Sequence, residues 1–81
     1  MSDLHIERRV LRIIERLYLP LGVKLSPDTK FFDELQFDFD KLYELRDECE
    51  AEFDLFIPDE WLTGLATVAG LIDTIRRLKT P

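Results

Sequence analysis

Eighty-one residues are enough for one domain, and 17 acidic against 11 basic side chains leave a net charge of −6. Such a surplus of carboxylates argues against nucleic acid as a partner, because phosphate contact needs an excess of Lys and Arg. No uninterrupted apolar run exceeds three or four residues, far short of a membrane span, and one cysteine with one histidine supplies neither a disulfide nor a four-ligand zinc site.

A domain of this size buries only roughly 60–65% of the surface its unfolded chain exposes. With no disulfide or structural metal to staple it, well-packed helices must supply the stability. The lone thiol, Cys49, and the lack of a signal-like segment point to a reducing, cytosolic setting. Charge is unevenly spread. Residues 33–60 hold twelve acidic side chains against Lys41 and Arg46, whereas residues 61–81 set Arg76, Arg77 and Lys79 against Asp73. The middle third therefore presents a concentrated negative face.

The first periodic stretch, Leu4 to Leu19, places Ile6, Val10, Ile13, Ile14 and Leu17 at steps of three and four, the stripe of an amphipathic helix. Ser2 or Asp3 caps its start, and Pro20 with Gly22 ends it. Residues 20–37 form a long connection with turn chemistry at Ser26-Pro27-Asp28, and Thr29 is expected to cap a short turn through Phe31, Phe32 and Leu35. Both phenylalanines are expected to pin this loop to the core.

A second helix opens at Asp38 as N-cap, with Phe37 and Leu42 at the spacing of a hydrophobic staple. Leu42, Leu45, Cys49 and Phe53 form its apolar stripe, and Glu44, Asp47, Glu48, Glu50 and Glu52 cover the rest. Pro58 restarts the chain, Asp59 is expected to cap a short helix through Trp61 and Leu62, and Gly64 ends it. Thr67 caps a last helix whose inner face is Val68, Leu71, Ile72, Ile75 and Leu78, with basic residues at its negative end. The expected fold is all-α: one domain over 1–81, an up-and-down bundle of three main helices with a short third helix before the last.

The segments Phe31-Phe32-Asp33-Glu34-Leu35, Glu44-Leu45, Glu52-Phe53-Asp54, Ile57-Pro58-Asp59-Glu60 and Thr67-Val68 resemble the acyl carrier protein family. With Ile6 to Ile14 matching that family's first helix and Ile72-Asp73 with Ile75 its last, the register runs without a gap over roughly residues 6–78. In that family the second helix begins Asp-Ser-Leu, and a phosphopantetheine arm is esterified to the serine. Here the three positions read Asp38-Phe39-Asp40, and Phe39 has no hydroxyl to form the phosphodiester. Ser2 and Ser26 are the only serines, and Ser26 stands thirteen residues upstream. The family's glycine before the motif is Gln36 here, the next small residue is Phe37, and position 41, usually acidic, is Lys41. Leu62 and Leu71 replace small residues and are expected to fill space that would otherwise sheath an acyl chain.

The resemblance implies docking of basic partner proteins through the second helix. The expected partner-binding residues are Asp38, Phe39, Asp40, Glu44, Asp47, Glu48, Glu50 and Glu52. Phe39 either projects outward as an interface anchor or folds back over the loop holding Phe37 and Phe31, and the folded-back arrangement is the expectation. Trp61 is expected half-buried, Cys49 buried and inert, and His5 exposed without a catalytic partner. Asp33, Glu34, Asp38 and Asp40 allow at most loose cation binding, without EF-hand spacing. No nucleophile and base stand together, so no enzyme activity, no cofactor and no resident metal are expected. The reading is a non-catalytic, acyl-carrier-like interaction or regulatory module of a bacterial-type cytosol, with no nucleic-acid or membrane partner and with homodimerisation open. A genuine acyl or peptidyl carrier in lipid or polyketide assembly is one alternative. A stand-alone adaptor or self-associating protein unrelated to acyl metabolism is the other.

Overall fold

A computed structural model describes residues 3–17 and 24–79. Its elements are α1 (Asp3–Leu17), α2 (Phe39–Phe53), α3 (Asp59–Leu62) and α4 (Val68–Lys79), and no strand occurs among the described residues beyond one isolated bridge, Lys30 to Thr67. The fold is the expected all-α bundle, with α1 packed against both α2 and α4. Ser2, Leu19, Pro20 and Gly22 lie outside the described residues, as do the side chains of Asp3, Leu4 and Leu17.

Periodicity decides what is buried. Ile6, Val10, Ile13 and Ile14 of α1, Leu42, Leu45, Cys49 and Phe53 of α2, and Val68, Leu71 and Ile75 of α4 form one core with Ile57, Leu62 and Leu65. Ile72 and Leu78 sit at its margin, only partly buried. Leu62 and Leu71 are both buried in this core. Arg9 joins the first two helices at the far end. Its Nε meets Glu52 Oε2 at 2.8 Å, its Nη2 donates to the Glu52 carbonyl at 2.7 Å, and its guanidinium lies 4.4 Å from the Phe53 ring centroid.

The loop before α2 is tied down by backbone rather than by a helix of its own. Val68 N–H donates to the Thr29 carbonyl (3.0 Å) and Ala69 N–H to the Pro27 carbonyl (2.7 Å), while Gly70 N–H reaches Thr67 Oγ1 at 3.2 Å. These are the first amides of α4, which have no partner within their own helix. Thr67 caps α4 as expected. The Thr29 hydroxyl does not cap the turn that follows it: it accepts from Ser26 N–H at 2.9 Å, and the Glu34 carboxylate instead accepts from Lys30 N–H at 3.0 Å. Phe31 is fully buried and stacks on Phe37 with ring centroids 5.4 Å apart. Phe32 departs from the expectation. With the interior filled by the Phe31–Phe37 pair, it stays 38% exposed.

One further expectation fails at α3, while the helix ends at Gly64 as expected. Its N-cap is Pro58, in extended geometry, with no side-chain cap bond. Asp59 falls on the first helical residue, one place past the cap, and its carboxylate pairs with Arg46. Its C-cap is Thr63, immediately before Gly64, with the Thr63 hydroxyl donating to the Glu60 carbonyl at 3.0 Å.

Burial inside α2 pushes the Cys49 thiol up to about 12, with the charges of Glu48, Glu52 and Glu50 adding to the effect. Since the thiolate is the reactive form, Cys49 should resist alkylation at pH 8 in the folded chain and label rapidly in urea. Native stability should fall as pH climbs from near 9 towards 12, where the unfolded thiol ionises first. Gln36 holds a left-handed backbone, φ 57°. This conformation costs a residue with a Cβ roughly 1–2 kcal/mol, partly offset by glycine's larger entropy loss on folding. Gln36→Gly should therefore raise urea-unfolding stability by about 0.5–1 kcal/mol.

Candidate functional site

The second helix begins where the chain leaves its loop at Asp38. That residue is extended (φ −106°, ψ −177°), and its Oδ1 accepts the Lys41 N–H at 2.8 Å. The Asp38 carbonyl takes the first helical bond, from Leu42 N–H at 3.1 Å. Phe37 and Leu42 flank the cap and are both buried, in the arrangement of a hydrophobic staple. The cap sets the phase of the helix. Phe39 becomes its first residue and points away from the core.

Phe39 does not fold back over Phe31 and Phe37. It is 60% exposed and meets the edge of Phe32, with ring centroids 5.6 Å apart and planes at 61°. The buried places beside it are already taken by the Phe31–Phe37 stack. Four residues on, Tyr43 lies on the same flank, 38% exposed, with the Arg46 guanidinium 4.9 Å from its ring centroid. Arg46 pairs with Asp59 and places Nη2 3.4 Å from Asp47 Oδ1, so it joins α2 to α3. Its Nε is buried without a hydrogen bond and lies 3.4 Å from the same Asp47 oxygen. Burial opposes its charge, but Asp59, Asp47 and Glu50 outweigh that and hold the guanidinium above its ordinary pKa. Trp61 on α3 is 36% exposed, and His5 on α1 is exposed.

The acidic side chains of α2 divide by their contacts. Asp38 is spent on the cap and Glu52 on Arg9. Glu50 is half-buried, and its Oε2 accepts the Ile57 N–H at 2.8 Å, fastening the segment that leads into α3. Asp40, Glu44, Asp47 and Glu48 are exposed. The contributions of Tyr43, Arg46 and Phe32 to this surface are absent from a reading by charge alone. The spacing of Phe39, Tyr43 and Arg46, at four and three residues, was the available signal.

The carboxylates near the cap are not gathered into a metal site. Among the described residues no three His, Cys, Asp or Glu side chains come together to hold an ion. Nor is any helix of the described residues long and apolar enough to cross a membrane.

No family model matches the chain, but individual proteins do. The acyl carrier protein of Chlorobium phaeobacteroides is 37% identical over 78 residues, spanning 93% of this chain and 96% of that protein. The chain belongs to the acyl carrier protein family. The acyl carrier protein of Shigella flexneri is 32% identical over 71 residues, 88% of this chain and 91% of the relative. The meromycolate extension acyl carrier protein of Mycobacterium leprae is 32% identical over 70 residues, 86% of this chain and 61% of that longer protein. These names describe carriers rather than enzymes.

The arm of that family is not matched by the residues at the shoulder of α2. Phe39 offers no oxygen to esterify. Among the described residues every Ser and Thr hydroxyl has a hydrogen-bond partner: Ser26 and Thr29 within their turn, Thr63 at the end of α3, and Thr67 and Thr74 on Gly70. Thr29 is also buried.

The division among the acids is open to measurement. Glu50→Ala should destabilise the domain by about 1–2 kcal/mol, because it strands the Ile57 amide. Glu48→Ala, on the exposed side, should stay within about 0.5 kcal/mol of the parent. Equal urea midpoints for the two variants would contradict the assignment.

Proposed function

We propose that this acyl carrier protein relative has given up the phosphopantetheine arm and works as a non-catalytic interaction or regulatory module. In this reading it engages a protein partner bearing a basic patch through the outward side of α2. The partner-facing residues are Phe39, Asp40, Glu44, Asp47 and Glu48, with Asp38, Glu50 and Glu52 holding the helix in place behind them. A reducing, cytosolic setting belongs to the same proposal, since the one cysteine is a free thiol.

One observation carries the proposal. The side chain at the first position of α2 is an exposed benzyl group, 60% accessible, on a cap that is otherwise intact. A carrier needs a nucleophilic oxygen on that shoulder, and the helix presents aromatic and carboxylate groups instead. Exposed charges of one sign steer a partner of the opposite sign and discriminate among partners more than they add affinity. The names of the relatives favour a second reading, that the chain is a working carrier loaded at another residue.

The two readings separate by intact mass. Wild-type chain and Phe39→Ser would each be incubated with coenzyme A and a phosphopantetheinyl transferase of broad specificity. The wild type should keep its unmodified mass. Loading of Phe39→Ser alone would mean that the shoulder keeps a carrier's shape and lacks only the hydroxyl. A phosphopantetheine adduct on the wild-type chain would refute the proposal, and peptide mapping would locate the residue used.

A further inference from the structure

The arginines of the chain divide into two groups. Arg9, Arg46, Arg76 and Arg77 each hold a carboxylate. Arg8, Arg12 and Arg16 carry no ion pair among the described residues, although acidic side chains outnumber basic ones 17 to 11. All three are exposed and stand four residues apart on α1. Steps of four turn a helix by only about 40° each, so the three form one ridge about 12 Å long. His5 shares that ridge, and the half-buried Glu7 and exposed Glu15 flank it on one side. The apolar stripe of α1 (Ile6, Val10, Ile13 and Ile14) faces away from it, into the core. Like charges four residues apart weaken a helix, so stability within the chain does not account for the ridge.

We propose that this ridge is a second docking site, taking an acidic helical segment of a partner protein whose carboxylates stand at i, i+4 and i+8. The site goes beyond the function proposed above and does not depend on it. It lies on α1, carries the opposite charge to the face of α2, and involves neither Phe39 nor an arm.

Residue type and spacing select the occupant. All four basic side chains of α1 are arginine. The planar guanidinium fork takes a carboxylate through two parallel hydrogen bonds, where Lys offers a single point of charge. Arg9, the neighbour of Arg8, already pairs with a carboxylate from a facing helix, its Nε 2.8 Å from Glu52 Oε2 of α2. Carboxylates repeated every four residues on another helix advance by the same step of about 6 Å and meet all three guanidiniums together. An anionic membrane fits less well, because the apolar stripe of α1 is buried and leaves the ridge nothing to insert into lipid. Nucleic acid would face the remainder of a body carrying a net charge of −6. A second copy offers exposed carboxylates at matching steps, Asp40, Glu44 and Glu48, but it brings its own net charge of −6 with them. Two such bodies repel beyond the contact. An acidic segment on a partner of smaller negative charge escapes that repulsion.

The test titrates the full chain at low salt with three synthetic Ala-rich helical peptides, followed by backbone amide NMR. One carries Glu at i, i+4 and i+8. The second distributes the same Glu residues around the helix, and the third carries Gln at the positions of the first. The aligned peptide should shift residues 5–16 and leave residues 39–53 in place. The distributed peptide should bind several-fold more weakly, and the Gln peptide should not bind. Raising the ionic strength from about 20 to about 200 mM should remove most of the aligned peptide's binding, as the screening length shortens. Arg12→Gln should weaken that complex about two- to fivefold, and R8Q/R12Q/R16Q together about tenfold or more. Arg77→Gln, on α4, should leave it unchanged. These positions lie on the surface, and an unchanged amide spectrum elsewhere verifies the fold of each variant. Equal binding of the distributed peptide, shifts centred on α2 or α4, unchanged affinity in the triple variant, or no shift in large peptide excess would each overturn the proposal. So would concentration-dependent shifts of both α1 and α2 in the protein alone, which would assign the ridge to a second copy. Larger α1 shifts with phosphatidylglycerol vesicles or duplex DNA than with the aligned peptide would assign it to lipid or nucleic acid instead. None of these results alters the mass of the wild-type chain after the transferase reaction, so the two readings fail separately.

Discussion

The hydrogen bond from Lys41 N–H to the Asp38 carboxylate fixes most of what the rest of the molecule does. It satisfies one amide of the first turn of α2 and sets the residue at which an extended loop becomes a helix. With the start fixed at Phe39, helical period sends Leu42, Leu45, Cys49 and Phe53 into the core. The same phase sends Asp40, Glu44 and Asp47 outward. A helix begun one residue earlier or later would rotate this pattern by about 100° and bring carboxylates towards apolar neighbours. Phe37 on one side of the cap and Phe39 on the other thus meet opposite fates, one buried and one displayed.

Electrostatics divides the acidic face into two populations. Glu50 and Glu52 are occupied by a backbone amide and by an arginine, and both fasten α2 to its neighbours. The exposed carboxylates make no comparable contribution to stability, because solvent screens them. Their surplus works against compaction while it favours solubility. Arg46 is the exception on this flank, a cation folded against Tyr43 and tied to Asp59, which joins α2 to α3 and leaves the ridge beside it negative.

Local sequence signals were sufficient where a residue's role depends on its near neighbours. The stripes of α1, α2 and α4, the cap at Asp38 and the cap at Thr67 all follow from spacings of three and four and from residue chemistry. They failed where a distant partner decides. Asp59 reads as an N-cap by position, but it is the first helical residue and pairs with Arg46, thirteen residues away. Thr29 turns back to Ser26 because its own carbonyl and that of Pro27 are needed by the first amides of α4. Phe39 was expected to lie over the loop, and only the stacking of Phe31 on Phe37 shows that no room remains there. Family resemblance located the shoulder of α2 correctly, while the aromatic strip of Phe32, Phe39 and Tyr43 needed three-dimensional placement.

Membership of a carrier family and the loss of its esterified alcohol meet at a single side chain. The most direct measurement is the intact mass of the protein purified from the cell that makes it, under conditions that preserve thioesters and phosphodiesters. The expected result is the mass of the polypeptide alone. A population heavier by a phosphopantetheine group, with or without an acyl chain, would contradict the assignment of Phe39 as an armless contact residue.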